Sequence, residues 1–154
     1  MIAWKTVLVA DDDVDDISLL KRAFLRAGID VQLKVVRDGE EVIQYLQGGQ
    51  QFADRETFPI PRLLLLDLKM PRADGFEVLE WVRKQSDLRR LLVVVMTSSD
   101  EPQDIERAYD LGANSFLRKP DDFDSLIKIS KKLHDYWIET NLSPDCGPHR
   151  VPEV

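Results

Sequence analysis

The residues in this chain that could do chemistry are mostly acids. Asp11, Asp12, Asp13, Asp15 and Asp16 place five carboxylates within six residues, a density that needs solvation or a neutralising cation. Farther along stand Asp67, Thr97 beside Ser98, and Lys119. Hard oxygen donors suit an octahedral divalent ion, magnesium above all, completed by waters and a phosphate oxygen. A hydroxyl and an ammonium beside a carboxylate supply the positioning and charge that phosphoryl transfer to that carboxylate requires. His134, His149 and the lone Cys146 offer no zinc spacing. Asp15 and Asp16 read as solvated acids favoured by a helix N-terminus, and Asp13 receives no role.

The reactive types all follow short apolar runs. The spacing predicts a strand over 6–10, a helix over about 15–27 closed by Gly28, an alternating strand over 31–36, and a second helix after Asp38-Gly39. A polar connection over 47–62 is longer than most loops. Continuous apolar strands follow over 63–66 and 91–96, with a helix carrying Phe76, Leu79 and Val82 between them. Asp100 is expected to cap a fourth helix that Gly112 closes. A short strand covers 115–117, and a last helix covers about 122–139.

Five strand–helix repeats imply an α/β fold, a doubly wound five-stranded parallel sheet with helices on both faces. Fully apolar strands belong in the centre and alternating or short ones at the edges, which gives the order 2-1-3-4-5. The first and third strands are then neighbours where strand order reverses. Asp11, Asp12 and Asp67 converge there, with Thr97 after the fourth strand and Lys119 after the fifth.

The length suits one domain over 1–140, followed by a proline-containing, flexible tail over 141–154. A net charge of −7 without a basic stripe argues against nucleic acid as partner. The apolar runs are too short for a bilayer. A single cysteine and a start that shows no signal-peptide pattern fit the cytoplasm.

The strings VLVADDD, LLLLDLKMPRADGFEVL, VVVMTSSD and LGANSFLRKP, in this order, resemble the response-regulator receiver domains of two-component signalling over about residues 4–139. The connection QGGQQFADRETFPIPR and the extended last helix with His134-Asp135-Tyr136-Trp137 narrow the likeness. They resemble the stand-alone regulators of cyanobacterial-type phytochrome histidine kinases. The resemblance implies a flavodoxin-like receiver fold and a signalling acceptor rather than an enzyme, with Asp67 taking a phosphoryl group from a sensor histidine kinase. It implies Mg2+ held directly by Asp12, mainly through water by Asp11, and by Asp67 and the Lys69 backbone carbonyl. Thr97 becomes the switch hydroxyl and Lys119 the phosphate-binding lysine, with a cis Lys119–Pro120 peptide. Phe116 becomes the aromatic that moves with Thr97; lacking a hydroxyl, it would act through packing.

With no DNA-binding segment in view, the expected output is a protein–protein contact, including a homodimer through the fourth helix, fifth strand and fifth helix, or through the last helix. Spacing at 100° puts Phe123, Leu126, Ile127, Leu133 and Trp137 on the inner stripe of that helix. Ile129 and Tyr136 fall together on its flank, as a candidate interface. Two rivals are weighed. A phosphatase of the haloacid-dehalogenase type would carry a second Asp where Lys69 stands, and a pseudo-receiver would bind partners without phosphorylation, although every side chain needed for it is present here. The Lys69 ammonium, two residues past Asp67, is expected to alter the lifetime of an aspartyl phosphate, with a sign the sequence does not set.

Overall fold

Three strands carry the centre of the molecule, and every residue in them is buried: β1 (Thr6–Ala10), β3 (Leu63–Leu66) and β4 (Leu92–Thr97). The flanking strands β2 (Gln32–Val36) and β5 (Ser115–Arg118) are largely half-buried, as sheet edges are. All pairings are parallel and the order is β2-β1-β3-β4-β5, as the apolar runs predicted. The computed structural model describes residues 6–144 and 146. Most of the expected tail, with His149, lies outside them, as does the start of the chain before Thr6.

Alternation within each central strand splits the core in two. Leu8, Ala10, Leu64, Leu66, Val93 and Val95 face α2 (Gly39–Gln47), α3 (Gly75–Lys84) and α4 (Pro102–Asp110). Val7, Val9, Leu63, Leu65, Val94 and Met96 face α1 (Val14–Arg26) and α5 (Phe123–Leu133). The helices therefore cover both faces, as crossover connections between parallel strands demand.

Several local expectations need correction. Asp100 does not cap α4: the capping residue is Glu101 with no side-chain bond. Ser99 Oγ instead accepts from the Glu101 N–H at 3.3 Å and donates to Asp104 Oδ2 at 2.7 Å, and Asp100 pairs with Arg118 at 3.7 Å. The last helix is α-helical only to Leu133; His134–Thr140 forms a π-helical turn. Its wider winding buries Ile138, which the 100° spacing left out, and leaves Trp137 partly buried and Tyr136 exposed.

The 47–62 connection is not a loose loop. It contains a 3₁₀ turn, Gln50–Phe52, and folds Phe52 and Phe58 against Tyr45 with ring centroids 5.1 and 5.8 Å away. Arg55 donates to the Tyr45, Leu46 and Phe58 carbonyls at 2.8, 2.8 and 3.1 Å, so it ties the segment to the last carbonyls of α2. Isolated aromatics carry no period, so sequence reading could not find this packing. The expected cis Lys119–Pro120 bond is trans, since no cis peptide occurs among the described residues. The Lys119 N–H bonds the Thr97 carbonyl at 2.7 Å, which continues the ladder up to the residue before Pro120.

Candidate functional site

The backbone ladder delivers the site residues. Asp67 N–H donates to the Ala10 carbonyl at 2.9 Å and Asp11 N–H to the Val36 carbonyl at 3.1 Å, so each acid begins where its strand stops. Asp13 N–H donates to Asp11 Oδ1 at 3.0 Å. Asp13, left without a role by the sequence, is the N-cap of α1, accepting from the Asp15 and Asp16 N–H groups at 2.9 and 3.2 Å.

Asp11, Asp12 and Asp67 present carboxylate oxygens that lie within 4.8 Å of one another. Asp11 and Asp67 are buried and Asp12 is exposed, which leaves one open side. Three hard, anionic oxygens at this separation fit a divalent cation of the magnesium or manganese kind, and no soft ligand stands among them.

Asp67 is shared by two donors. Thr97 Oγ1 donates to Oδ1 at 2.9 Å and Lys119 Nζ donates to Oδ2 at 2.8 Å. The Lys69 N–H also reaches Oδ1 at 3.2 Å, while the Lys69 side chain is exposed. The Lys119 ammonium also reaches Asp11 Oδ2 at 2.8 Å and Asp16 Oδ2 at 2.8 Å. Burial pulls the Lys119 amine down, but its bonds to Asp11, Asp16 and Asp67 outweigh this and hold its pKa well above the usual lysine value. Burial pushes the Asp11 carboxyl up, against the lowering effect of Lys119.

The structure thus brings Asp11, Asp12, Asp67, Thr97 and Lys119 into one mouth. Phe116 stands apart, opposite Val95 in the ladder and half-buried against the core on the α2–α4 side. Sequence reading missed Asp16, because an acid in the first turn of a helix has an ordinary explanation in the helix dipole. It also missed Arg72, which adopts φ 70° in the β3–α3 loop and pairs with Asp38 at 3.7 Å.

The arrangement agrees with known proteins. The profile of the response regulator receiver domain matches residues 7–131. The chain is 36% identical over 146 residues to a probable methanogenesis regulatory protein, FilR2, of Methanothrix harundinacea, covering 92% of this chain and 88% of that one. It resembles the crystal structure of the phosphorylated cyanobacterial phytochrome response regulator RcpA with a TM-score of 0.84 at 32% identity, over 92% of this chain and 99% of that one. The Mn(2+)-bound form of response regulator Rcp1, a Synechocystis protein, gives 0.80 at 34% identity, over 91% and 99%.

Proposed function

The chain belongs to the response regulator receiver domain family, and on that premise we propose that Asp67 accepts a phosphoryl group from a sensor histidine kinase in a magnesium-dependent reaction. One observation carries this reading: the Asp67 carboxylate is gripped by Thr97 on one oxygen and Lys119 on the other, while lying within 4.8 Å of Asp11 and Asp12.

Asp11, Asp12, Asp67 and the Lys69 backbone carbonyl would hold the cation. When bound, it supplies positive charge against the oxygens of the transferred group. In the transfer, a phosphohistidine nitrogen–phosphorus bond breaks as an Asp67 oxygen–phosphorus bond forms. The remaining work belongs to this chain. Thr97 Oγ1 turns its proton from the carboxylate to a phosphoryl oxygen, and the Lys119 ammonium meets another. Both sit on or beside β4 and β5, so their movement biases α4, β5 and α5, with Phe116 following by packing. That shift changes which proteins the surface binds.

Similarity to the cyanobacterial phytochrome response regulator RcpA supports a phytochrome-type kinase as donor. A second copy of the chain is the candidate partner at the last helix. There Tyr136 is exposed and meets Trp137 edge-on at 4.9 Å. No helix among the described residues is long and apolar enough to cross a membrane.

Incubation with phosphorylated histidine kinases or acetyl phosphate, with and without magnesium, tests the proposal. A magnesium-dependent adduct that Asp67→Ala abolishes is expected. No adduct from any donor would favour a pseudo-receiver, and turnover of many phosphate esters would favour a phosphatase.

A further inference from the structure

Lys119 Nζ stands among three carboxylates, donating hydrogen bonds to Asp16 and Asp67 and pairing with Asp11. Its partners are Asp11 Oδ2, Asp16 Oδ2 and Asp67 Oδ2, each at 2.8 Å. Asp11 and Asp67 belong to the carboxylate trio that fits a cation; Asp16 does not. It comes instead from the first turn of α1, held there by the Asp13 cap on its own N–H.

An ammonium seated among three carboxylates must move away from at least one of them to turn toward a phosphoryl oxygen. Two of its three partners are drawn toward any cation in the mouth and lose part of their pull on Lys119. Asp16 keeps its full charge, fixed by the helix. It therefore competes directly with the phosphoryl group for Lys119, and it adds a negative charge beside the path of an anionic phosphodonor. The pair also lies on the wall of a groove between α1 and α5 that includes Leu19, Leu20, Pro120 and Leu126.

We propose that Asp16 is a positioning residue that holds the Lys119 ammonium back on α1, so that capture of a phosphoryl group at Asp67 requires this ion pair to open. The inference rests on the reading of Asp67 as phosphoacceptor and adds to it a restraint that phosphoryl transfer does not itself need.

Beryllofluoride, which assembles on an aspartate as a phosphoryl mimic in the presence of magnesium, supplies the test. Calorimetry would compare its affinity, and separately that of magnesium alone, for the wild type, Asp16→Asn, Asp16→Ala and Asp16→Glu. Removing the competing charge is expected to tighten beryllofluoride binding about 5- to 10-fold in Asp16→Asn and Asp16→Ala. Magnesium affinity should change less than about 2-fold, since Asp16 lies outside the trio. Asp16→Glu, which keeps the charge, should return the affinity toward the wild type. Equal beryllofluoride affinities, or a parallel change in magnesium affinity, would overturn the inference and leave the phosphoacceptor reading standing. Failure of the wild type to bind beryllofluoride would overturn both. The wild-type Lys119 ammonium followed by NMR gives a reading free of any substitution: its signal is expected to shift on adding beryllofluoride, and an unmoved signal would overturn the restraint.

Discussion

Gly75 lies against the backbone of Asp67. A Cβ built on Gly75 would collide with the Asp67 carbonyl oxygen and approach Leu68 Cα to 2.7 Å. The Gly75 N–H also bonds the Leu68 carbonyl at 2.9 Å. The start of α3 can press on the end of β3 only because residue 75 has no side chain. Gly75→Ala should therefore push Asp67 out of place as well as lower stability, by about 1–3 kcal/mol as overpacking generally does. Urea unfolding reads the loss of stability. Magnesium affinity, expected to weaken, reads the displacement of Asp67; wild-type magnesium affinity in the variant would mean that the loop yields without moving the acid.

Arg83 fastens the opposite end of the sheet. Its guanidinium donates to the carbonyls of Gly112 at 3.0 and 2.7 Å, Arg89 at 3.0 Å and Leu91 at 2.7 Å, and to Asn114 Oδ1 at 3.1 Å. One planar fork thus ties α3 to the start of β4 and to the turn before β5. A lysine ammonium cannot reproduce that geometry. Arg83→Lys should cost about 2–3 kcal/mol in urea unfolding, nearly as much as Arg83→Ala, with phosphorylation of Asp67 retained in the folded fraction. Full rescue by lysine would show that charge, not the fork, is what matters.

Tyr45 sets a pH dependence at the alkaline end. Its hydroxyl donates to the Pro59 carbonyl at 2.8 Å, and burial, partly opposed by Arg55, raises its pKa in the folded protein. The unfolded phenol ionises near pH ~10. The folded state keeps its proton above that point while the unfolded state loses it, so stability is full below pH ~10 and falls as pH rises further, by up to about 1.4 kcal/mol per pH unit. Tyr45→Phe should lose about 1 kcal/mol at pH 7 and show a shallower alkaline decline. The two stability curves, measured by urea unfolding from pH 8 to 11, should converge at the alkaline end. Parallel curves would contradict the assignment.

How much of this was legible in the sequence follows from the kind of signal each feature leaves. The strand order came from contrasts in burial that composition records directly: Leu63–Leu66 and Leu92–Thr97 are apolar on both faces and sit centrally, whereas Gln32–Val36 alternates and lies at an edge. Asp67, Thr97 and Lys119 could be grouped because each ends a strand. Asp16 could not, since its contact with Lys119 spans 103 positions and its helix position already has a sufficient explanation. Ile138 was lost to a change of helical winding, and Phe52 and Phe58 to the absence of any period in an irregular segment.

Tyr136 is the place to test self-association. It is 53% exposed on the π-helical turn, braced by Trp137, while its expected companion Ile129 packs against the core instead. If the last helix pairs with that of a second copy, Tyr136→Glu should weaken the dimer at least about 10-fold by introducing a charge into an apolar contact. Sedimentation over a range of concentrations checks this, and monomeric behaviour of both proteins would remove the dimer from the proposal.

Lys69 bears on how long the phosphorylated state lasts. Its N–H orients Asp67 Oδ1, and its side chain leaves the loop into solvent on the rim of the site. Water that hydrolyses an aspartyl phosphate must approach the phosphorus from the open side, opposite the Asp67 oxygen. A long chain on that rim occupies the approach, and its ammonium holds water by its own hydration, both of which oppose attack. Lys69→Ala should therefore shorten the lifetime of the phosphorylated protein about 3- to 10-fold, corresponding to about 1 kcal/mol of barrier. Lys69→Met, which keeps length without charge, separates the two causes: recovery of the wild-type lifetime points to bulk, and no recovery points to the ammonium. Decay of the radiolabelled adduct in magnesium buffer is the measurement. A lifetime unchanged in Lys69→Ala would place the lysine outside the path of water.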